Sequence, residues 1–263
     1  MLAFVGLGLS GDGITLQGLE EVRSADEVYA ELYTSLIPGF DLEELEKKVG
    51  QPIEVLQRED VEEKPAEILK EAKDEKVVFL VPGDPMVATT HLDLRLRAKE
   101  VGVETTIIHG PSIETAAPGL AGLQSYKFGR TATLPLPRKP SETPYGVIEE
   151  NGKLGLHTLL LLDIEADEER YLTADRAIEH LLNLEEELKR GVFTGETLCV
   201  VVARAGTTNP LVKAHRAQEL KEMDFGPPPH AVIVPGKLHF LEAEALERFA
   251  GAPEEVVKKN VEE

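Results

Sequence analysis

An α/β chain of two domains is the fold class the sequence predicts, and three observations predict it. Short apolar runs of strand length alternate with segments whose apolar residues recur at helical spacing. Such alternation calls for crossover connections and hence a largely parallel sheet. The alternation then breaks between residues 110 and 152. There Pro111, Pro118, Pro135, Pro137, Pro140 and Pro144 fall among Gly110, Gly119, Gly122, Gly129 and Gly146. So dense a set of breakers reads as a domain junction followed by a long exposed loop. With 263 residues to divide, an N-terminal α/β domain over 1–111 and a C-terminal α/β domain over 112–263 result. No internal repeat at a fixed period is present.

Taken in order, strands are expected at 2–7, 27–31, 53–56, 76–81 and 103–108, then at 157–162, 196–204 and 231–235. The first good helix cap is Thr15. Leu42, Leu45 and Val49 follow the i, i+3, i+7 spacing of a helix face. Ile178, Leu181, Leu182 and Leu188 do the same after a cap at Thr173. Val212, Leu220 and Met223 suggest one more helix of this kind.

The charge balance excludes some functions. Forty-eight acidic residues stand against 28 basic ones, a formal charge of −20. A surface this acidic repels phosphate backbones, so nucleic acid is not an expected partner. The single cysteine, Cys199, sits inside Leu198-Cys199-Val200-Val201-Val202 and reads as a core thiol. It excludes an internal disulfide and fits a reducing, cytoplasmic setting. No basic segment precedes the first apolar run, as a signal peptide would require. No apolar run approaches the roughly 20 residues of a membrane helix.

After the first strand, Gly6-Leu7-Gly8-Leu9-Ser10-Gly11 spells G-x-G-x-x-G. In a dinucleotide-binding fold the helix opens at once behind that motif and receives the pyrophosphate. Here Asp12, Gly13 and Ile14 intervene before the Thr15 cap, so the fold is not expected to be of the Rossmann type. The competing reading is an NAD-linked dehydrogenase, with Glu31 about 20 residues on as the ribose acid. It requires a helix beginning at Gly11.

Ligands in open α/β sheets gather beyond the carboxyl ends of the strands. The exits here are Gly8-Leu9-Ser10-Gly11, Pro82-Gly83-Asp84-Pro85, Gly110-Pro111-Ser112-Ile113, Asp163 and Ala205-Gly206-Thr207. Recurring glycine and small polar residues let backbone approach a ligand closely. No metal site is expected: CxxC and HExxH are absent, and His91, His109, His157, His180 and His215 are scattered. No Walker lysine follows a glycine loop, and no G-x-S-x-G elbow occurs. The acidic runs Glu62-Glu63 and Glu185-Glu186-Glu187 read as solvated faces.

With these residues in view, the chain resembles the tetrapyrrole-methylase-like methyltransferases, through Gly6-Leu7-Gly8-Leu9 with Asp12 and through Pro82-Gly83-Asp84-Pro85. Within them it is similar to the diphthine synthase family. The shared blocks include Ala30-Glu31-Leu32-Tyr33-Thr34-Ser35, Met86-Val87-Ala88-Thr89-Thr90-His91 and Pro111-Ser112-Ile113. They continue with Tyr126-Lys127-Phe128-Gly129, Val202-Ala203-Arg204-Ala205-Gly206, Pro228-Pro229-His230 and Val234-Pro235-Gly236-Lys237-Leu238-His239. Leu9-Ser10 stands where many tetrapyrrole methylases carry Pro-Gly, which disfavours a tetrapyrrole acceptor. The block 135–152 departs from the family pattern.

The resemblance implies two α/β domains with a cofactor cleft between them, a homodimer, and S-adenosyl-L-methionine as methyl donor, leaving as S-adenosyl-L-homocysteine. It implies transfer to the amine of the aminocarboxypropyl-modified histidine of elongation factor 2, in diphthamide biosynthesis. It places cofactor contacts at Leu9, Asp84, Val87, Ser112, Ile113, Leu162, Ala205 and His230, and acceptor contacts at Glu31, Tyr33 and Thr34. It names no catalytic base. A protein that only binds an elongation factor, without a cofactor, is the remaining alternative.

Overall fold

A computed structural model of the chain describes residues 1–136, 141–168 and 170–261. Two compact units divide it: Met1–Ile113 with Glu165–Glu168, and Glu114–Ile164 with Glu169–Glu263.

The first unit is built on β1 (Leu2–Gly6), β2 (Glu27–Glu31), β3 (Glu54–Leu56), β4 (Val77–Val81) and β5 (Thr105–Ile108). They form one parallel sheet in the order β3-β2-β4-β1-β5. Helices cover both faces, which is why β1 and β4 read as unbroken apolar runs. Leu2, Phe4, Val77 and Phe79 pack on one side with Ile68 and Leu69 of helix Ala66–Asp74 and Leu94 of helix His91–Glu100. Ala3, Val5, Val78 and Leu80 pack on the other with Val22 of helix Leu16–Arg23 and Leu45 and Val49 of helix Leu42–Val49. Thr15 caps the first of these, its hydroxyl accepting the Gly18 N–H at 3.0 Å. Asp41 caps Leu42–Val49 by accepting from Glu44 N at 3.1 Å.

The second unit holds β6 (Ala132–Leu134), β7 (Thr158–Leu162), β10 (Leu198–Ala203), β11 (Leu211–Arg216) and β12 (His230–Val234). Between β7 and β10 lies a two-stranded ribbon of β8 (Ile164–Glu165) and β9 (Arg170–Tyr171). The larger sheet has the order β11-β10-β12-β7-β6, and only β6 and β7 pair in parallel. The expected parallel sheet therefore stops at the first unit. The cause is β11, where a helix through Val212 was expected. Residues 204–210 are too few for a crossover, so β11 returns antiparallel along β10, with Cys199 opposite His215. Only Ala217–Leu220 is helical there.

The exposed loop expected over 110–152 is also corrected. Helix Ile113–Ala121 contains Pro118, β6 follows, and helix Thr143–Lys153 begins with Pro144 in its first turn. A proline there lacks only an N–H that would have no helical partner, so it starts the helix rather than breaking it. Tyr145 and Ile148 of that helix are core residues. Pro137 and Pro140 of the expected loop lie outside the described residues. Cys199 is fully buried among Val201, Ala203 and Val232, and burial pushes its thiol pKa up.

Candidate functional site

Strand order creates the site of the first unit. The helix after β1, Leu16–Arg23, packs on one face of the sheet and the helix after the adjacent β4, His91–Glu100, on the other, so the two connections part at the carboxyl edge. Diverging connections open a crevice at the carboxyl edge, between β1 and β4. Its floor is backbone. Gly8 N donates to Gly83 O at 3.1 Å and Gly83 N to Gly8 O at 2.9 Å. A Cβ on Gly6 would stand 2.5 Å from Gly83 O and 2.6 Å from Gly110 N, so the exits of β1, β4 and β5 meet where only glycine fits. Gly83 has φ +66°, and along its own Cβ direction the nearest atom is Pro111 O at 3.9 Å. That backbone is open to a ligand.

Asp84 is buried beside this floor. Its Oδ1 accepts from Met86 N at 3.0 Å, and its Oδ2 lies 2.7 Å from His109 Nδ1. Val87 N donates to Asp84 O at 3.2 Å, which folds the turn back over the crevice. Leu9, Val87 and Ile113 are half-buried, and Ser112 is buried. The structure thus brings Leu9, Asp84, Val87, Ser112 and Ile113 to the carboxyl edge of one sheet. The dehydrogenase reading fails here: the helix starts at Leu16, and Gly11 N, which a pyrophosphate would need, donates to Pro38 O at 3.1 Å.

Glu31 ends β2 and is fully buried. Its Oε2 accepts from Tyr33 N and Thr34 N, each at 3.1 Å, and its Oε1 from Thr34 Oγ1 at 2.5 Å. This carboxylate shapes the Tyr33-Thr34 turn and is not available to a ribose. His91 Nδ1 donates to Pro85 O at 3.3 Å, and Nε2 faces Glu31 Oε1 at 3.7 Å. Burial raises the Glu31 pKa to about 7, against the Thr34 hydroxyl and the turn amides that lower it. Burial also lowers that of His91. Both groups are thereby pushed toward their neutral forms.

In the second unit, antiparallel pairing gathers what chain order separates. Leu162 ends β7, Ala205 lies two residues past β10, and His230 begins β12. Since β12 runs against both neighbours, His230 stands opposite Ala203 while Ala231 stands opposite Leu161. All three expected residues of this unit therefore share one sheet edge. Both His230 ring nitrogens are engaged by the chain. Nδ1 accepts from Ala174 N at 3.2 Å, and Nε2 donates to Pro227 O at 3.2 Å. Thr173 occupies the N-cap position of helix Ala174–Leu188 without a side-chain bond, so the imidazole does the capping. Arg204, at φ +52°, donates from Nη1 to Phe225 O at 2.6 Å and Pro227 O at 2.8 Å, fixing the loop beside Ala205.

Some of the motif residues serve the scaffold. The buried Glu242 carboxylate accepts from Gln124 N (2.8 Å), His239 N (2.9 Å), Lys127 Nζ (3.0 Å) and His157 Nε2 (3.1 Å). It ties the Tyr126-Lys127-Phe128 block to the Gly236–His239 turn. Glu185, expected on a solvated face, also proves structural. It accepts from Tyr145 Oη at 2.6 Å and from Gly191, Val192 and Phe193 N–H groups. Burial alone would raise its pKa, but these donors prevail and lower it to about 2.

Sequence reasoning passed over His109, His91 and Arg204. Their signal was position: each lies at or near a strand exit or inside a matched block. Among the described residues, no three His, Cys, Asp or Glu side chains lie close enough to hold a metal ion. No described helix is long and apolar enough to cross a membrane.

Comparison with known proteins agrees with this geometry. The family model of tetrapyrrole (corrin/porphyrin) methylases matches residues 1–221. A diphthine synthase of Methanocella arvoryzae is 54% identical over 95% of this chain and 98% of its own. One from Methanosarcina acetivorans is 49% identical over 98% and 99%. A crystal structure of diphthine synthase superposes with a TM-score of 0.90 at 44% identity, covering 98% of both chains.

Proposed function

The chain belongs to the tetrapyrrole methylases and, within them, to the diphthine synthases, and on that premise we propose which of its residues carry the reaction and on what acceptor. It is a methyltransferase that uses S-adenosylmethionine. That cofactor supplies a methyl group on a sulfonium, which is already a good leaving group. The observation that carries the assignment is the switch-point crevice, with Asp84 buried beside unshielded glycine backbone. A ligand bearing positive charge suits a buried carboxylate beside glycine backbone that carries no side chain to keep it away. We assign cofactor contacts to Leu9, Asp84, Val87, Ser112 and Ile113 in the first unit, and to Leu162, Ala205 and His230 in the second. His230 contributes through its backbone or ring face, its nitrogens being engaged. Glu31 acts on the acceptor side by shaping the Tyr33-Thr34 turn.

The proposed acceptor is the amine of the aminocarboxypropyl-modified histidine of elongation factor 2. The chain's task is to hold amine, methyl and sulfur in line, which contributes several kcal/mol by orientation alone. We further propose a cytoplasmic homodimer. Leu92 and Leu96, one turn apart on helix His91–Glu100, and Phe240 and Phe249 on helix Phe240–Ala250 are exposed apolar surface that a second copy would cover. Light scattering should return about twice 28.8 kDa; a monomer at micromolar concentration would exclude the dimer.

Radiolabelled methyl transfer tests the acceptor. Label should enter elongation factor 2 that carries the arm and not the unmodified protein. Equal labelling of both, or labelling of a tetrapyrrole alone, would overturn the assignment. Asp84→Ala tests the site. It should weaken S-adenosylhomocysteine by about 1.5–3 kcal/mol, roughly 10- to 150-fold, through loss of a charge-assisted hydrogen bond. Thermal stability should fall little. A variant with reduced stability and unchanged affinity would make Asp84 a turn residue only.

A further inference from the structure

We propose that His109 is the proton acceptor for the amine this chain methylates, held in its accepting tautomer by Asp84. The inference rests on the acceptor reading above and adds the base that the sequence does not name. His109 is the first residue beyond β5, and Asp84 lies three residues beyond β4. The two strands flank β1 in a parallel sheet, so both residues stand at the same carboxyl edge.

A carboxylate accepts and does not donate. The 2.7 Å contact between Asp84 Oδ2 and His109 Nδ1 therefore puts the imidazole proton on Nδ1. In the neutral ring the lone pair then sits on Nε2, the tautomer a general base requires. The Asp84 side chain is 7% exposed and that of His109 is 72% exposed, so a buried anchor holds an accessible ring. The other groups near the exits lack this combination. His91 and Glu31 are buried, and both nitrogens of His230 are bonded to the chain. Among the described residues, the charged side chain that meets His109 is Asp84.

An aliphatic amine is protonated at neutral pH and has no lone pair to attack with. Nε2 takes one N–H proton from the ammonium. The N–H bond breaks, its electron pair stays on the amine nitrogen, and an Nε2–H bond forms. Asp84 stabilises the resulting imidazolium, which releases its proton to solvent through the exposed ring edge. The chain then presents a neutral amine, with no net change in His109.

The test uses the full chain with His109→Gln and His109→Ala, and elongation factor 2 carrying the arm. Single-turnover methyl transfer is followed from about pH 6 to about pH 9, below the ordinary pKa of an aliphatic amine. S-adenosylhomocysteine is titrated in parallel. H109Q should slow transfer by about 100-fold or more at neutral pH and leave a slower rate that rises with pH as the amine itself loses its proton. Cofactor-product affinity should stay within a few-fold, and added imidazole should partly restore H109A. A rate in H109Q close to wild type would overturn the proposal. So would a parallel loss of rate and S-adenosylhomocysteine affinity, which would make His109 a support for Asp84. Wild-type protein inactive on this acceptor would overturn the acceptor assignment itself, a failure distinguishable because it needs no substitution.

Discussion

Glu242→Ala should destabilise the fold by about 3–5 kcal/mol, because it removes the anion from a buried, fully bonded cluster. The Gln124 and His239 amides and His157 Nε2–H would lose this acceptor at once, and the Lys127 ammonium would keep only Lys237 O. His157 could not compensate, since its Nδ1 already accepts from Gly236 N at 3.0 Å. Glu244→Ala on the same helix is the control. Its pair with Arg248 is exposed and should contribute well under 1 kcal/mol. Urea midpoints of the two variants measure the difference; equal shifts would mean that the cluster stabilises nothing beyond a surface pair. The acid side follows from the same contacts. Burial alone would raise the Glu242 pKa, but its donors outweigh that and lower it. A group with a depressed folded pKa contributes stability that is fully present above its ordinary value of 4.5 and is lost as pH falls through the folded value. Wild-type protein should therefore lose stability relative to the alanine variant only below about pH 4.5.

Glu31→Gln should act with the opposite sign and up to neutral pH. The Glu31 carboxyl moves from an ordinary 4.5 to about 7 in the fold, because burial penalises its anion. A raised carboxyl pKa gives stability that is complete below about 4.5 and is lost as pH rises through about 7. The interval corresponds to about 3 kcal/mol. Glutamine fits the site: its oxygen can accept from Tyr33 and Thr34 N–H, and its amide can donate toward Thr34 Oγ1 and His91 Nε2. The variant should hold its melting temperature flat between about pH 5 and pH 8 while wild type declines. Parallel profiles would show that Glu31 is ionised throughout.

What the sequence determined by itself is the set of features that act within a few residues. Apolar runs marked β1, β4, β7, β10 and β12, because a strand covered on both faces must be apolar along its length. Thr15 and Asp41 start their helices through bonds to the backbone three residues on. The extra residues after Gly11 already spoke against a dinucleotide loop, and the ordered motif blocks pointed to the family that the comparisons confirm. Tertiary structure decided everything that depends on which segments become neighbours. The Val212 segment is a strand because β10 offers a ladder seven residues away, while its own apolar spacing mimics a helix. Leu162, Ala205 and His230 share an edge only because β12 runs antiparallel. His109 meets Asp84 across 25 residues, and Glu242 meets Gln124 across 118. No local spacing encodes such pairs. The β3-β2-β4-β1-β5 order, and with it the crevice between β1 and β4, comes from packing helices on both faces of one sheet.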